Sequence, residues 1–213
     1  MRARERALEW LEDHTTETRS RHAADIFLRG RPRRRDRAVA AIYFAVAAGR
    51  WQRYESVDVH LAPFAEGLAR CRPPRDVVDL GTGTGGAAAM VARTHPGAKV
   101  VGVDTSRAML GRARRRHLDP NLFFRRGSVL RLPFPDRTFD LVTGVNAVPE
   151  VGELRRVTTP DAQVLVASTT RPVPTEGSDW ATRWRESGFC RVDAGAVGEG
   201  SWELYERCAG AAA

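Results

Sequence analysis

The fold is decided by the stretch Val77-Val-Asp-Leu-Gly-Thr-Gly-Thr-Gly-Gly86. A short apolar run ends at Leu80, a glycine-rich turn follows, and a helix is predicted to open near Gly86. Glycines in such a turn let the backbone bend sharply and approach a ligand without side chains in the way. The first turn of the helix then presents unpaired N–H groups beside that ligand. The stretch therefore predicts a ligand-binding loop between a buried strand and a helix.

The rest of the chain after this stretch alternates between strand and helix patterns. Helices are expected at Gly86–Thr94, Ser106–Arg116, Glu150–Val157 and near Asp179–Ser187. Strands are expected at Val77–Leu80, Lys99–Val103, Leu122–Arg125, Phe139–Val145, Gln163–Ala167, Cys190–Ala194 and Ser201–Glu206. This alternation is typical of right-handed crossovers and a mostly parallel sheet with both faces covered. We expect a doubly wound, seven-stranded α/β domain that ends in an antiparallel hairpin.

Residues 1–76 show helical patterns and no strand. Leu61, Phe64 and Leu68 continue a stripe that begins at Val57, and Pro63 indicates that this helix either begins late or bends. We predict an N-terminal helical segment at 1–76 that acts as a lid and shapes the substrate pocket, followed by a binding domain at 77–213.

The glycines alone leave two interpretations open, since Gly81, Gly83 and Gly86 also satisfy the GxGxxG pattern of dinucleotide-binding folds. Asp79, two residues ahead of the first glycine, separates them. A carboxylate there can accept a hydrogen bond from an ammonium group, whereas beside a pyrophosphate its charge would be repulsive. Downstream lies Leu132-Pro-Phe-Pro-Asp-Arg-Thr-Phe-Asp-Leu-Val142, a segment that no dehydrogenase needs.

With these motifs in register, the chain from about Val77 onward resembles the class I S-adenosylmethionine-dependent methyltransferases of the small-molecule type. The resemblance implies S-adenosylmethionine as the cofactor and S-adenosylhomocysteine as its product. It implies that the first motif wraps the methionine part of the cofactor, through Asp79, Gly81, Thr82, Gly83 and Gly85.

A second motif matches at Val100-Val-Gly-Val-Asp104-Thr-Ser-Arg-Ala-Met109. The resemblance implies that Asp104 holds both ribose hydroxyls, as one carboxylate can accept from two vicinal hydroxyl groups. Thr105 and Met109 belong to the same part of the site, and the neighbourhood of Met109 is implied to pack against the adenine.

The third motif departs from the family pattern. Ser128 stands where the family usually has an acid that takes the adenine amino group, so the charge-assisted part of that hydrogen bond is lost. The adenine is then held by the Ser128 hydroxyl or by the backbone of Val129. Thr159-Pro-Asp-Ala162 replaces a Pro-Gly-Gly turn, a change that concerns turn geometry and not chemistry.

Three further positions carry an open interpretation. Trp51 and Tyr54 lie one helical turn apart and either pack in the core or line the pocket; Tyr54 is our candidate for a residue that covers the cofactor. Glu150 follows the fourth predicted strand and is either a base or, as we favour, an acid in the first turn of a helix. No catalytic residue is assigned. The five histidines have no metal-ligand spacing, and we expect no metal site.

Composition sets the remaining limits. The chain has 213 residues, of which 34 are basic and 26 acidic, and 42% are hydrophobic. No apolar run approaches the ~18–20 residues needed to cross a bilayer, and no signal peptide is indicated, so we expect no membrane contact. Cys71, Cys190 and Cys208 are a sparse, odd set, which predicts neither a disulfide framework nor a zinc site and favours a reducing cytoplasm.

The formal charge of +8 comes from arginine, as Lys99 is the only lysine. We interpret the arginine runs at Arg29–Arg37 and Arg112–Arg131 as solvated faces and do not expect nucleic acid to bind. The prediction is a cytoplasmic enzyme that methylates a small molecule. A methyltransferase acting on RNA or protein, a non-catalytic cofactor-binding protein and, with least support, an NAD(P)-dependent oxidoreductase remain as alternatives. The oligomeric state is not predicted.

Overall fold

A computed structural model describes residues 61–147, 150–169 and 179–208, and within them lies one seven-stranded sheet. Its strands are β1 (Asp76–Leu80), β2 (Lys99–Asp104), β3 (Leu122–Arg126), β4 (Phe139–Val145), β5 (Thr158–Ser168), β6 (Phe189–Val197) and β7 (Gly200–Arg207). The spatial order is β3-β2-β1-β4-β5-β7-β6. Strands β1 to β5 pair in parallel, and β7 is antiparallel to both β5 and β6. The predicted doubly wound α/β architecture with a terminal antiparallel hairpin is confirmed.

Five helices are described: α1 (Ala62–Leu68), α2 (Gly86–Thr94), α3 (Arg107–Arg116), α4 (Val151–Val157) and α5 (Asp179–Glu186). Helix α1 begins late, with Pro63 in its first turn, where a missing N–H costs nothing. It packs closely on the sheet: a Cβ added at Gly67 would lie 2.6 Å from the Leu165 side chain and 3.0 Å from that of Trp202. The predicted division at residue 76 stays a prediction. No helix in the described part of the chain is long and apolar enough to cross a bilayer.

The sheet has a separate apolar core on each face, as expected when strand residues alternate in direction. On β1, Val77 belongs to the core under α1 and α2, whereas Val78 and Leu80 belong to the core under α4 and α5. Helix α2 is rich in alanine on its buried side, so that it lies close to the strands. Residues on both faces of β1 are almost completely buried.

The strand order reverses between β1 and β4. From β1 the chain runs outward through β2 to β3, and β4 then returns to the other side of β1. In open α/β sheets, ligands bind in the crevice at the carboxyl ends of the strands at such a switch point. The topology therefore places the glycine-rich loop after β1 and the turn after β4 on the two sides of one crevice.

Two expectations about the C-terminal half are wrong. Cys190 and Cys208 form a disulfide, with their Cα atoms 5.0 Å apart. The two cysteines are 18 residues apart in the sequence, and the β6–β7 hairpin brings them together. In that hairpin Phe189 pairs with Arg207, and the Cys208 N–H donates to the Gly188 carbonyl. Strand β5 also starts earlier than predicted, because residues 158–161 form its irregular first half instead of a turn. A register shift opposite Phe139–Leu141 accommodates Pro160 there.

Candidate active site at the carboxyl ends of the parallel strands

The loop after β1 has the conformation that its glycines predict. Gly81, Gly83 and Gly85 have φ angles of +62°, +55° and +92°, in the left-handed region that other residues rarely adopt. The loop is tied to β2 because the Thr82 N–H donates to the Val103 carbonyl over 3.0 Å. Among the described residues, a Cβ added at Gly83 would meet only the Gly81 carbonyl oxygen, at 3.9 Å. Gly85 then caps the start of α2.

Asp104 ends β2 beside this loop. Its Oδ2 accepts from the Gly83 N–H at 3.0 Å and its Oδ1 from the Ser106 N–H at 2.7 Å. Burial raises the pKa of the carboxyl, and the backbone N–H groups of Ser106 and Gly83 oppose that rise. The Thr105 N–H lowers this pKa as well, and since a carboxylate has about four acceptor positions, Asp104 keeps some capacity to accept from a ligand. The side chain both fixes the glycine loop and offers acceptors to a ligand.

Asp79 lies inside the sheet, with 1% of its surface exposed. Its Oδ1 accepts from the Thr143 hydroxyl at 2.8 Å, and burial raises its pKa to about 6. The Thr82 hydroxyl is near enough to lower this pKa but does not reach hydrogen-bond geometry, so Asp79 Oδ2 has no donor among the described residues. A buried carboxylate with an unpaired oxygen is suited to a cationic donor.

Thr82 lies in the glycine loop, and Thr105 follows β2. The Thr82 side chain is turned against β2, because a Cβ added at Gly102 would lie 2.6 Å from the Thr82 hydroxyl oxygen. Thr105 is exposed, and its carbonyl accepts from Arg126 Nε at 3.1 Å. The place of both threonines in the cofactor site stays a prediction.

Met109 and Ser128 flank Asp104 on the β3 side. Met109 is buried in the first turn of α3, whose Ser106 cap accepts from the Met109 N–H at 3.3 Å. The Gly127 N–H donates to the Asp104 carbonyl at 3.1 Å, which holds the segment after β3 beside Asp104. The Ser128 hydroxyl accepts from the Leu130 N–H at 3.2 Å, so one of its two acceptor positions is already used. Val129 follows and packs partly buried against the core under α4.

The segment 132–142 is fixed by Arg156 of α4. Its guanidinium donates to the carbonyls of Leu132 (3.0 Å) and Phe134 (2.8 Å) and to the Asp136 carboxylate (2.7 Å). It also pairs with Glu153 at 2.6 Å, and Glu153 in turn accepts from the Leu132 N–H. These bonds hold the segment that joins β3 to β4 in one conformation.

Asp140 binds backbone groups at the start of β1 and does not contact the glycine loop. Its carboxylate accepts from the backbone N–H groups of Arg75 and Asp76 at the start of β1. This position lies at the opposite end of β1 from the glycine loop. Asp140 therefore aligns β4 with β1.

Sequence reasoning missed two residues of the site. Thr143 is the donor to Asp79, and the signal was available as a polar residue inside the apolar run of β4. Asn146, at the tip of β4, has a φ of +52°.

Glu150 precedes α4 as its N-cap residue but makes no capping hydrogen bond. Trp51 and Tyr54 lie outside the described residues. In the described ranges, no cluster of histidine, cysteine and acidic residues could hold a metal ion.

Comparisons with known proteins agree with this geometry. A family described as "Methyltransferase domain" matches residues 77–166. A demethylmenaquinone methyltransferase of Thermus thermophilus is 38% identical over 120 residues, 52% of this chain and 54% of that protein. The ubiquinone/menaquinone biosynthesis C-methyltransferase UbiE of Desulfotalea psychrophila is 37% identical over 103 residues, 45% of this chain and 42% of that protein. The chain thus spans about half the length of the curated relatives it matches.

Solved structures share the fold. A SAM-dependent methyltransferase from Aquifex aeolicus superposes with a TM-score of 0.62 at 17% identity, over 74% of this chain and 96% of that one. At that identity the likeness concerns the fold alone. The sequence relatives, the family match and the glycine loop between two acidic strand ends agree with one another, and residues 77–166 of this chain are similar to a methyltransferase domain.

Proposed function

We propose that this protein transfers a methyl group from S-adenosylmethionine to a small-molecule acceptor. The observation that carries the proposal is the pair of carboxylates at the ends of β1 and β2, with the glycine loop between them. The Asp79 carboxylate is buried and its Oδ2 has no donor among the described residues, whereas the Asp104 carboxylate is half-buried and keeps some capacity to accept. That is the arrangement a ligand with an ammonium group and a vicinal diol requires.

The described residues fit this cofactor. Asp79 would accept from its ammonium group, and the backbone from Gly81 to Gly85 would lie along its methionine part. Asp104 would accept from both ribose hydroxyls. Ser128 and Val129 would meet the adenine edge, and Met109 would pack near its face. The helical segment 1–76, with Tyr54, is proposed to close over the cofactor and to shape the acceptor pocket.

The cofactor, when bound, supplies an electrophilic methyl group on a positively charged sulfur. The chain supplies alignment, for which well-held near-attack geometry contributes about 7–11 kcal/mol. The nucleophile of the acceptor forms the new bond to the methyl carbon, and the carbon–sulfur bond breaks with its electron pair staying on sulfur. Strand ends on both sides of the crevice can hold the methyl group and the acceptor in this alignment.

The relatives support a quinone-type acceptor and methylation at carbon, since their names specify demethylmenaquinone and a C-methyltransferase. In the reduced, hydroquinone form, the ring carbon is electron-rich and can attack the methyl group; loss of the ring proton then restores aromaticity. We therefore propose a reduced demethylated quinone as the first acceptor to test.

The arginine-rich segment gives no support to an RNA substrate. Within the run from Arg112 to Arg131, Arg114 donates to the Phe124 carbonyl and Arg126 to the Thr105 carbonyl. These side chains are used within the fold. Any affinity for RNA is expected to be weak and to vanish between low and physiological salt.

The test combines cofactor binding and turnover. Calorimetry with S-adenosylhomocysteine, S-adenosylmethionine and NAD(P) should show binding of the first two only. The purified protein with S-adenosylmethionine and reduced demethylmenaquinone should then form S-adenosylhomocysteine, and Asp104→Asn should form much less. Tight binding of NAD(P) in place of these ligands would overturn the proposal. Cofactor binding with no turnover on quinone, RNA or protein acceptors would leave a non-catalytic binding protein.

A further inference from the structure

Asn146, at the tip of β4, joins the ends of two neighbouring strands. Its Oδ1 accepts from the Thr169 N–H at 3.0 Å, and its Nδ2 donates to the Thr169 hydroxyl at 2.9 Å. Its own N–H donates to the Ala167 carbonyl at 2.9 Å. The last register pair of β4 and β5 is Val145 with Ala167, so these three bonds extend the connection one step past the sheet.

The backbone of Asn146 is strained in a way that most residues avoid. Its φ of +52° lies in the left-handed region, and among the described non-glycine residues only Arg137 shares this feature. Asparagine tolerates that conformation better than most residues, because its short amide side chain bonds locally. Strain of this kind persists where surrounding contacts fix it, and it concentrates at functional sites.

The turn at Asn146 directs the next residue onto the glycine loop. A Cβ added at Gly81 would lie 3.0 Å from the Ala147 Cβ, and one added at Gly144 would lie 3.5 Å from it. Gly81 follows β1 and Ala147 follows β4, so the two residues meet across the crevice where the strand order reverses. Ala147 thus lies against the loop on the side of β4, opposite the Asp104 side.

The bonds of Asn146 are exposed, so core stability does not explain them. The side chain is exposed to solvent, and its hydrogen bonds to Thr169 are exposed as well. Exposed hydrogen bonds contribute little to folding, since water competes for the same groups. These bonds instead fix the residues that follow β4 and β5 relative to each other at the edge of the crevice.

From this geometry we infer that Asn146 is a positioning residue: it holds Ala147 against Gly81 and so forms the wall of the crevice that faces the methyl acceptor. The inference rests on the proposed function for the identity of the reaction. Substitutions at Asn146 should therefore separate turnover from cofactor binding.

Three variants test this. Asn146→Gly keeps the left-handed backbone but removes the side-chain bonds to Thr169. Asn146→Asp keeps the acceptor for the Thr169 N–H and tolerates the same backbone. Thr169→Val removes only the hydroxyl partner at nearly constant shape. For each, one measures S-adenosylhomocysteine affinity by calorimetry, hydrogen exchange at the strand tips, and kcat and KM with reduced demethylmenaquinone.

For Asn146→Gly, kcat should fall by about tenfold or more, since small misplacements of reacting atoms are costly. Cofactor affinity should stay within about threefold, because the bonds of the glycine loop to Val103 and Asp104 are untouched. Exchange should accelerate at residue 146, whose N–H donates to the Ala167 carbonyl, and at Thr169, but not at Gly83. Asn146→Asp should recover most of the turnover, and Thr169→Val should lie between the two.

Equal losses of cofactor affinity and kcat would overturn the inference, as would faster exchange at the tips with unchanged turnover. Wild-type protein that binds S-adenosylhomocysteine but methylates no acceptor would refute the proposed activity by itself. The inference about Asn146 is then decided by exchange, and unchanged protection of the residue 146 N–H in Asn146→Gly would refute it.

Discussion

Replacing Asp79 by asparagine should stabilise the cofactor-free protein and weaken its affinity for the cofactor. Burial raises the pKa of Asp79 from 3.8 to about 6. Between these two values, the folded protein binds more protons at this residue than the unfolded chain does. The free energy of unfolding therefore falls as the pH rises from about 4 to about 6, and it stays lower above that range. A difference of about two pKa units corresponds to about 3 kcal/mol.

Asparagine removes that cost while it keeps the shape of the side chain. Its oxygen can still accept from the Thr143 hydroxyl, and its amide nitrogen places a donor where Asp79 Oδ2 has no partner. The buried Thr82 hydroxyl oxygen, which makes no hydrogen bond by geometry, is the nearby acceptor. At pH 7 the variant should gain up to about 3 kcal/mol, which corresponds to roughly 6–12 °C in Tm for a chain of this length.

Denaturant unfolding at a series of pH values between 4 and 8 measures the effect. The two proteins should have similar stability near pH 4 and diverge by pH 7. The same substitution at Asp193, whose side chain is 40% exposed, serves as a control and should not reproduce the divergence. Affinity for S-adenosylhomocysteine should fall about 10- to 100-fold in Asp79→Asn, since a charged hydrogen bond is worth about 1.5–3 kcal/mol. Equal or lower stability of the variant at pH 7 would refute the argument from burial.

Three further predictions concern the same crevice. In the wild type, S-adenosylhomocysteine affinity should fall about tenfold per pH unit below about 6, because the ammonium group needs the charged form of Asp79; calorimetry that finds constant affinity from pH 5 to 7 would contradict this. Asp104→Ala should weaken binding by about 2 kcal/mol or more, measured by calorimetry with circular dichroism as a check on folding. Ser128→Asp should tighten binding by up to ~1 kcal/mol, because a carboxylate can accept from both the Leu130 N–H and the adenine amino group, while Ser128→Ala should cost little. Weaker binding by the aspartate variant would mean that the adenine lies elsewhere.

Features with a local signal could be predicted from the sequence. The predicted strand Lys99–Val103 differs from β2 by one residue, and Gly86–Thr94 coincides with α2. Apolar runs, glycine clusters and a change of period depend on neighbouring residues, so they are visible along the chain. The glycine loop and Asp104 could be predicted in the same way, because each directly follows or ends a predicted strand. The carboxyl ends of parallel strands lie at one edge of a sheet, so the two are expected to lie close together.

Features that depend on distant contacts could not be predicted. The first half of β5 contains Pro160, which is typical of a turn, and only its pairing with β4 keeps it extended. The Cys190–Cys208 bond depends on a hairpin register that composition does not determine. The contact of Asn146 with Thr169 likewise appears only when two strand tips are placed side by side. In each case the deciding partner is at least 18 residues away.

The position of β7 has a consequence for synthesis. This strand follows every other described strand along the chain, yet it lies between β5 and β6. Until Gly200–Arg207 leaves the ribosome, the Gln163–Ser168 edge of β5 has no partner, and Phe189–Val197 has no strand to pair with. Unpaired, apolar strand edges are sites at which nascent chains associate with one another. A ribosome that pauses before β7 is complete should therefore expose an aggregation-prone edge, which β7 covers once it pairs with β5 and β6.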